Sequence, residues 1–318
     1  ESMAAGAASD TLRFDGRVAI VTGAGGGLGR SYAILLAERG AKVLVNDLGG
    51  SLGGKGGSTR PAQAVVDEIT AAGGTAAANF DSVEDGAKIV QAAVDLWGKV
   101  DILINNAGIL RDVSFHKMSD ADWEAVYRVH LRGTFAVTRA AWPLMREQGY
   151  GRVVMASSAA GLYGNFGQAN YAAMKMAMVG LANTLAIEGA RRNIAVNVVC
   201  PVASSRMTET VLPDELLSSL RADLVAPIVA YLCHESCADN GAVVECGGGW
   251  AGKLRRQRAK GVFFPAAQNP GAKGFEMEDV ARAWKTICSY EDADYPETNQ
   301  DVFGVIMEHV EAARASKL

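Results

Sequence analysis

The sequence lacks the features that mark secreted and membrane-spanning proteins. Its five cysteines are odd in number and show no disulfide-framework spacing, which favours a reducing compartment. No apolar run reaches the roughly 18 residues that a membrane span needs, and the first residues contain no apolar core of a secretory signal. We therefore predict no membrane span. Residues 1–12, which are mostly small and polar, are interpreted as a disordered leader or a tag remnant.

An excess of one charge sign and clusters of metal ligands are also missing. The 31 basic and 35 acidic side chains give a formal net charge of −4, without the basic excess of a typical nucleic-acid-binding domain. Cys233, His234 and Cys237 have the spacing of half a metal site, but the sequence contains no second half. Small buried thiols on a helix are the favoured interpretation. We expect neither a nucleic-acid partner nor a metal.

What the sequence does contain is a regular alternation of strands and helices. With 318 residues, 49% hydrophobic and 21% charged, the chain can form a sizeable globular core. Short apolar runs, typical of buried parallel strands, alternate with helical periodicity, and one long helix is predicted over about 120–148. The alternation indicates an α/β fold: a Rossmann-type doubly wound parallel sheet of about seven strands with helices on both faces. The predicted strands cover 17–22, 41–47, 75–80, 100–104, 151–158, 194–199 and 242–245.

A glycine-rich turn follows the first predicted strand and opens a helix. Gly23, Gly27 and Gly29 allow a tight turn, a close approach of the backbone to a pyrophosphate, and packing of the helix on the strand. The free N–H groups at the helix start, including that of Leu28, and the positive end of the helix dipole favour phosphate binding. Because the turn lies between a strand and a helix, it indicates a dinucleotide site.

Residues at the ends of later strands extend the predicted cofactor site. Asp47 ends the second strand, where a carboxylate accepts hydrogen bonds from the adenosine ribose and repels a 2′-phosphate, so we predict NAD rather than NADP. Asp81 either lies beside the adenine or caps the next helix. A loop over the substrate is expected at about 202–213. The other predicted cofactor contacts are Ser82, Val83, Asn106, Ala107, Gly108, Val202, Ala203 and Ser204.

The chemistry is predicted around Ser158, Tyr171 and Lys175. Tyr171 and Lys175 lie four residues apart, on one face of a helix. A phenol ordinarily has a pKa near ~10, and a neighbouring ammonium lowers that pKa, so Tyr171 can act as acid or base near neutral pH. The Ser158 hydroxyl, at the end of a buried strand, can hold a carbonyl or alcohol oxygen. The three residues suit proton exchange with a C=O/CH–OH pair, which needs a hydride partner.

From residue 252 the strand–helix alternation stops. We interpret 252–318 as a helical appendage that packs on the main domain, residues 13–251, or on a partner subunit. Five basic side chains between Lys253 and Lys260 either meet the phosphates of a coenzyme A ester or form a solvated surface, which is the favoured interpretation. The helices of the appendage are predicted at about 277–289 and 302–315.

The last three residues carry a separate signal. Ser316-Lys317-Leu318 matches a C-terminal address that the peroxisomal import receptor reads. A chance match to one tripeptide at one terminus is rare. We therefore predict localisation in the peroxisomal matrix.

Together these motifs resemble the short-chain dehydrogenase/reductase family. The resemblance implies that Tyr171 exchanges the proton, that Lys175 lowers its pKa and binds the nicotinamide ribose, and that Ser158 holds the substrate oxygen. It also implies a homodimer or tetramer, of which we expect the homodimer. It covers about residues 14–249 and rests on Thr22-Gly23-(x)3-Gly27-x-Gly29, Asn105-Asn106-Ala107-Gly108 and Ser158-(x)12-Tyr171-(x)3-Lys175.

Further segments are similar to the (3R)-hydroxyacyl-CoA dehydrogenase units of the type 2 peroxisomal multifunctional enzymes. This narrower resemblance implies NAD-dependent oxidation of a (3R)-3-hydroxyacyl-CoA to a 3-oxoacyl-CoA in fatty-acid β-oxidation. In the resembled enzymes this unit is usually fused to a hydratase and a sterol-carrier domain. Because this sequence ends soon after the appendage, we expect an enoyl-CoA hydratase to be a separate partner. A steroid or other secondary-alcohol dehydrogenase of the same family and a non-catalytic nucleotide-binding subunit are the alternatives. The similar segments are 46–50, 107–112, 129–133, 163–168 and 232–237.

Two positions depart from the family pattern. His130 stands where the family usually carries an asparagine that helps to hold a proton-relay water. Its backbone carbonyl can do the same, its ring can join the relay by titrating, or it can be a packed structural residue. The family usually carries Pro-Gly after the sixth strand, whereas this sequence has Pro201-Val202. The resemblance therefore does not determine the backbone conformation beside the nicotinamide. We include His130 among the predicted catalytic residues.

Overall fold

The computed structural model describes residues 11–51, 53–203, 219–264 and 274–315, with side chains up to residue 312. The chain divides into two compact units, residues 1–253 and 254–318. The first unit ends two residues after the predicted domain boundary at residue 251. The predicted site residue Ser204, most of the loop expected at 202–213, and Ser316-Lys317-Leu318 lie outside the described residues.

The first unit is built on a sheet of eight strands in the order β3-β2-β1-β4-β5-β6-β7-β8. All pairs from β3 to β7 are parallel. The chain reverses its direction of winding between β1 and β4, which is the topology of the predicted Rossmann-type fold. The strands are β1 Val18–Thr22, β2 Lys42–Asn46, β3 Thr75–Asn79, β4 Ile102–Asn105, β5 Gly151–Ala156, β6 Ile194–Pro201, β7 Val243–Gly247 and β8 Trp250–Leu254.

Helices cover both faces of this sheet, so the α/β prediction is confirmed. Buried side chains of α1, α2 and α8 form one apolar core with one face of the sheet. Those of α3, α5 and α7 form the other core, which includes the alternate residues of the same strands. The helices are α1 Gly27–Glu38, α2 Arg60–Ala71, α3 Gly86–Trp97, α4 Asp120–Tyr127, α5 Gly133–Gln148, α6 Ala159–Tyr163, α7 Ala169–Gly189 and α8 Ala226–Cys233.

The sheet has one strand more than the seven predicted segments, because β8 was not among them. Gly248 and Gly249 join β7 to β8, with φ of 58° and 83°. A two-residue connection of this kind joins antiparallel strands. Three residues of β8 are exposed and the strand shows no alternation of apolar and polar residues. Its sequence therefore gives no strand signal, and the predicted domain boundary fell inside it.

The helix predicted over 120–148 is interrupted in its middle. α4 ends at Tyr127, and a π turn, Arg128–Arg132, separates it from α5. No proline or glycine marks the start of this turn, so the local sequence gives no warning. The π turn adds one residue to the helical turn. It lies where the side chain of His130 is buried.

The second unit contains two helices close to those predicted, α9 Met277–Ile287 and α10 Gln300–Ala315. Arg258 pairs with Asp294 through both backbone and side chain, with a guanidinium–carboxylate distance of 2.5 Å. The Arg255 guanidinium lies 3.5 Å from the centre of the Tyr295 ring. These two cations of the basic segment are thus bound by groups of their own unit.

Two predictions made above concern a metal site and a membrane span. Cys233 and Cys237 are buried thiols, and no cluster of three metal-ligand side chains occurs among the described residues. None of the described helices is both long enough and apolar enough to cross a membrane.

Candidate active site

The predicted site residues gather at the carboxyl edge of the sheet, around the point where β1 separates β2 from β4. In an open α/β sheet the ligand crevice lies at this switch point, outside the carboxyl ends of the strands. Gly23 follows β1, Asp47 follows β2 and Asn106 follows β4. Ser158 follows β5, two residues after its end. The fold therefore brings together residues that are far apart in sequence.

The glycine turn after β1 requires glycine for two measurable reasons. Gly23 has φ of 64°, and a Cβ there would lie 2.7 Å from the Cα of Ala107. A Cβ on Gly29 would lie 2.3 Å from the Gly23 carbonyl oxygen, so helix α1 can approach the turn only without a side chain. Leu28 lies in the first turn of α1, which begins at Gly27. A phosphate can therefore approach the backbone N–H groups of the turn and of the first residues of α1.

Hydrogen bonds tie the turn after β1 to the turn after β4. The Thr22 hydroxyl accepts from the backbone N–H groups of Asn106 and Ala107, at 3.0 and 3.1 Å. The Asn106 side-chain amide donates to the carbonyls of Thr22 and Gly23, both at 3.1 Å. The side chain of Asn106 therefore fixes the two turns to each other. Thr22, which the sequence analysis treated only as part of a motif, is the hydroxyl at the centre of this link.

Asp47 is held with its carboxylate facing the glycine turn. One carboxylate oxygen accepts from the backbone N–H of Gly25 at 2.8 Å, and the other accepts from that of Gly49 at 2.7 Å. Each oxygen retains a lone pair, so the carboxylate can also accept hydrogen bonds from a ligand. The positions of Asp47 and of the glycine turn fit the adenosine and pyrophosphate of a dinucleotide.

The residues after β3 bear on one of the two roles predicted for Asp81, that of a helix cap. The Ser82 hydroxyl, rather than Asp81, accepts from the backbone of the following 3₁₀ turn, from the N–H of Glu84 at 3.3 Å. The Asp81 carboxylate accepts from the Asn79 amide at 2.8 Å. Asp81 as the helix cap is therefore wrong. Val83 is buried, and a Cβ on Gly133 would lie 2.5 Å from it.

The segment after β6 begins at Val202. Its backbone N–H donates to the Cys246 carbonyl at 2.7 Å, which continues the pairing with β7. The side chain of Val202 is 41% exposed, whereas that of Ala203 is buried. Valine in place of the family's usual glycine therefore directs an apolar side chain outward from this edge.

Ser158, Tyr171 and Lys175 come together as predicted. Ser158 caps α6, where its hydroxyl accepts from the Ala160 N–H at 3.2 Å, and it lies near enough to the Tyr171 phenol to lower the pKa of that phenol. Lys175 is buried one turn along α7, and its ammonium donates to the Ala156 carbonyl at 2.7 Å. The ammonium nitrogen lies 5.5 Å from the centre of the Tyr171 ring. A phenol between a hydroxyl and an ammonium can exchange a proton with a bound alcohol or ketone.

Comparison of the sequence with known proteins identifies the family to which the chain belongs. Residues 17–215, more than half of the chain, match the short chain dehydrogenase family. The chain belongs to the short-chain dehydrogenase family. As a member of this family it is an oxidoreductase that binds a nicotinamide dinucleotide, and the glycine turn and Asp47 provide a fitting site.

Relatives within the short-chain dehydrogenase family include longer enzymes. The chain is 54% identical over 297 residues to peroxisomal multifunctional enzyme type 2 of Mus musculus, covering 93% of this chain and 40% of the relative. The structure of the full-length peroxisomal multifunctional enzyme type 2 from Drosophila melanogaster matches with a TM-score of 0.81 and 47% identity, over 95% of this chain and 50% of that chain. The chain thus spans half or less of the length of these two relatives.

A smaller short-chain dehydrogenase shows the same fold with a cofactor. The structure of 7α-hydroxysteroid dehydrogenase complexed with NADH and 7-oxo glycochenodeoxycholic acid matches with a TM-score of 0.68 and 30% identity. The match covers 76% of this chain and 96% of that chain. It therefore lies further from this chain in sequence than the multifunctional enzymes do.

The electrostatics of the short-chain dehydrogenase site differ from the prediction in one respect. Burial raises the pKa of Tyr171 above its ordinary value, and the nearby Ser158 side chain lowers it only in part. Burial also lowers the pKa of Lys175 to about 8. The predicted net lowering of the Tyr171 pKa is therefore wrong for the chain by itself, because the loss of hydration outweighs the stabilising contacts.

His130 is buried in the same site, in the π turn. Its Nε2 lies 3.0 Å from the backbone nitrogen of Ile109 and 2.8 Å from the Ile109 carbonyl oxygen. Its ring and the Tyr171 ring pack edge to face, with centroids 5.3 Å apart. Burial lowers the pKa of His130 to about 3, so the ring is neutral and does not titrate near neutral pH. The prediction that the His130 ring joins the proton relay by titrating is therefore wrong.

Two site residues were missed by the sequence analysis. Asn170 is fully buried at the start of α7, where its amide donates to the carbonyls of Arg111 and Asp122, at 3.1 and 3.3 Å. The Ser157 hydroxyl donates to the Lys175 carbonyl at 2.7 Å. Both neighbour predicted catalytic residues in sequence, which was the only available signal. Their partners lie 18 to 59 residues away, so the contacts depend on the fold.

Proposed function

We propose that the chain oxidises a (3R)-3-hydroxyacyl-CoA to the 3-oxoacyl-CoA with NAD, in peroxisomal fatty-acid β-oxidation. The observation that carries the proposal is the position of Tyr171 beside a dinucleotide turn, with its ring centre 5.5 Å from the Lys175 ammonium nitrogen and its phenol near enough to Ser158 for that side chain to lower its pKa. The 54% identity to a multifunctional enzyme over 93% of this chain supports the substrate class. The whole activity of that longer relative is not attributed to this chain.

In the proposed reaction Tyr171 removes the proton of the C3 hydroxyl. Ser158 holds the substrate oxygen at hydrogen-bond distance from the phenol, so the proton has a short path. A bound NAD would supply the acceptor for the hydride of C3 and a positive charge that favours the tyrosine phenolate. Lys175 adds a second positive charge and binds the nicotinamide ribose. The products are the ketone at C3 and NADH, and the proton remains on Tyr171 for release.

NAD is proposed as the cofactor because of Asp47. Two backbone N–H groups, at 2.8 and 2.7 Å, hold its carboxylate beside the glycine turn. A fixed negative charge accepts hydrogen bonds from the ribose hydroxyls and repels a 2′-phosphate. The roles proposed for Gly23, Gly27, Leu28 and Gly29 at the pyrophosphate do not distinguish the two cofactors.

We expect Asp47→Ala to raise the KM for NAD by about ten- to a hundredfold, because a hydrogen bond to a charged group contributes about 1.5–3 kcal/mol. The preference for NAD over NADP, measured as the ratio of kcat/KM values, should fall by a similar factor. Asp67→Ala on α2 is the control, since Asp67 is exposed and accepts one hydrogen bond from Gln63 at 2.8 Å. Faster turnover of the wild-type chain with NADP would contradict the assignment.

The substrate class separates this proposal from its two rivals. A steroid or other secondary-alcohol dehydrogenase would use the same three residues, and the 7α-hydroxysteroid enzyme matches this chain at 30% identity. The 47% identity to the multifunctional enzyme structure favours the acyl-CoA ester. A non-catalytic subunit would have no need for Ser158, Tyr171 and Lys175 together.

NADH formation, followed by absorbance, tests the substrate class directly. We expect 3-hydroxyacyl-CoA to be oxidised with a kcat/KM at least about a hundredfold above that of a steroid alcohol, which corresponds to about 2.8 kcal/mol of transition-state stabilisation. A steroid alcohol that is oxidised faster would favour the first rival. No NADH with either substrate, from a chain that binds NADH, would favour the second.

The proposed location and partners rest on other observations. The relatives are named peroxisomal enzymes, and the last three residues match the peroxisomal address. We propose the peroxisomal matrix, with the import receptor reading Ser316-Lys317-Leu318. A homodimer and a separate enoyl-CoA hydratase remain predictions from the family resemblance.

A further inference from the structure

The guanidinium of Arg111 is poorly satisfied by the part of the chain that the structure describes. Its Nε is buried and has no hydrogen-bond partner there. Its Nη1 lies 4.0 Å from one carboxylate oxygen of Asp122, which is too far for a hydrogen bond. The other oxygen of that carboxylate accepts from the Ser119 hydroxyl at 2.6 Å. A largely buried cation with unused donors destabilises a fold, so Arg111 is suited to an anionic ligand.

Arg111 lies in the segment after β4, beside the start of α7. Its backbone carbonyl accepts from the Asn170 amide at 3.1 Å, and Asn170 directly precedes Tyr171. At the beginning of the same segment, Asn106 is bonded to the glycine turn. The segment therefore runs from the proposed pyrophosphate site towards the tyrosine. The Arg111 side chain is 28% exposed, and because Nε is buried, this exposed surface belongs to its other atoms.

A glycine-rich loop after β2 packs against the same segment. We define the β2 loop as residues 49–51 and 53–58, which include six glycines. A Cβ on Gly53 would lie 4.0 Å from Nε of Arg111, and a Cβ on Gly54 would lie 2.9 Å from a side-chain methyl of Ile109. In the sheet, β1 with its glycine turn lies between β2 and β4. The β2 loop and the segment after β4 therefore meet beside the proposed pyrophosphate site.

We propose that Arg111 binds a phosphate group of an organic ligand, at the place where the β2 loop meets the segment after β4. The group is either the pyrophosphate of the dinucleotide or a phosphate of the coenzyme A ester. Both present pairs of oxygens that a guanidinium binds through two parallel hydrogen bonds. The glycines of the β2 loop leave bare backbone beside the guanidinium, where a phosphate can approach closely. The coenzyme A alternative rests on the proposed function.

Arg111→Gln removes the charge and tests the contact. We expect the ligand that Arg111 holds to lose affinity by about ten- to a hundredfold, as for a lost hydrogen bond between charged groups. Arg111→Lys keeps the charge without the fork of donors and should lose less, about two- to fivefold. Arg146→Gln is the control for net charge. Arg146 lies in the last turn of α5, which leads into the amino end of β5, so this variant should bind both ligands as the wild type does.

Two binding measurements distinguish the sources of the phosphate. Weaker NADH binding by Arg111→Gln, followed by fluorescence, identifies the pyrophosphate. Weaker binding of 3-hydroxyacyl-CoA, followed by calorimetry with saturating NADH, identifies coenzyme A. In that case the pantetheine thioester of the same acid, which carries no phosphate, should bind the variant and the wild type equally.

These affinities do not depend on turnover, because NADH cannot accept a hydride from the hydroxy ester. If the wild-type chain binds NADH and the ester but does not oxidise the ester with NAD, the proposed function fails while this inference stands.

Gly53→Asp tests the same contact without removing the arginine. Its carboxylate can reach the guanidinium, since the Cβ would lie 4.0 Å from Nε, and would compete with a phosphate for it. It should weaken the same ligand as Arg111→Gln does, by at least about fivefold. Gly53→Asn, which has the same shape without the charge, should bind that ligand within about threefold of the wild type.

Two results would overturn the inference. One is an Arg111→Gln chain that binds both NADH and 3-hydroxyacyl-CoA within about twofold of the wild type. The other is an equal loss of affinity for the coenzyme A ester and the pantetheine thioester with NADH affinity unchanged, which would mean that the substitution disturbs the substrate site without removing a phosphate contact. If Arg111→Gln does not fold, Gly53→Asp replaces it, and unchanged affinity for both ligands in that variant would also overturn the inference.

Discussion

Tyr171→Phe is expected to lower kcat for alcohol oxidation by about a thousandfold, with NADH affinity unchanged within about threefold. The substitution removes the oxygen that receives the substrate proton in the proposed reaction. Positioned acid–base groups contribute about 10²–10⁴-fold to rates. The ring itself, which meets His130 edge to face, remains in place, so the loss should appear in kcat rather than in folding.

Tyr163→Phe is the matched control for this experiment. Tyr163 lies in the same segment between β5 and α7 and donates a hydrogen bond to the Glu245 carboxylate at 2.8 Å, but it is 67% exposed. Its hydroxyl should contribute less than about tenfold to kcat. A Tyr171→Phe chain with near-normal kcat would show that another group takes the proton.

Lys175→Met is expected to inactivate the chain and to stabilise it. Activity should fall by at least about a hundredfold, because the variant lacks the ammonium that favours the phenolate and binds the nicotinamide ribose. The stability of the chain should nevertheless rise at neutral pH. The ammonium is buried, and burial lowers the pKa of Lys175 from 10.5 to about 8, so the folded state keeps this charge at a cost.

The sign of the effect follows from the two pKa values. Below pH 8 both states carry the charge, and the folded state bears a penalty of about 3 kcal/mol. Between the folded pKa of about 8 and the unfolded value of 10.5, only the unfolded state stays protonated. The free energy of unfolding of the wild type therefore rises with pH in this window. Methionine removes the penalty and also the hydrogen bond to Ala156, which offsets about 1 kcal/mol.

We therefore expect Lys175→Met to raise the free energy of unfolding by about 1–2 kcal/mol at pH 7. The gain should vanish as the pH rises towards 10. Urea unfolding at several pH values measures it. Lys88→Met is the control, since Lys88 is an exposed lysine of α3 paired with Asp85 at 3.2 Å. A Lys175→Met chain that is less stable than the wild type at pH 7 would mean that lysine supports the fold instead of straining it.

The parts of the fold that the sequence predicts are those with local signals. Buried strands such as Val18–Thr22 consist mostly of consecutive apolar residues. The glycines at 23, 27 and 29 belong to one turn with a recognisable spacing, and a side chain at 23 or 29 would clash with the nearby backbone. The spacing of Tyr171 and Lys175 on one helix face is also local. Ser158 joins them because β5 ends beside the start of α7, which the alternation of elements already implied.

The parts that the sequence does not predict depend on contacts between distant residues. The π turn around His130 occurs where the ring meets Ile109, 21 residues earlier in the chain. The pKa of Tyr171 depends on burial by the whole site, whereas the sequence reveals only the neighbouring lysine. β8 is mostly exposed, so it lacks the hydrophobic pattern by which strands are recognised.

The most direct test of the account is the oxidation of the two enantiomers of one 3-hydroxyacyl-CoA with NAD. Tyr171, Ser158 and the hydride acceptor occupy fixed positions, so only one configuration at C3 can present its hydroxyl to the phenol and its hydrogen to the nicotinamide together. The account predicts that the wild-type chain forms NADH with the (3R) ester at least about a hundredfold faster than with the (3S) ester. Preference for the (3S) ester, or equal rates, would contradict it.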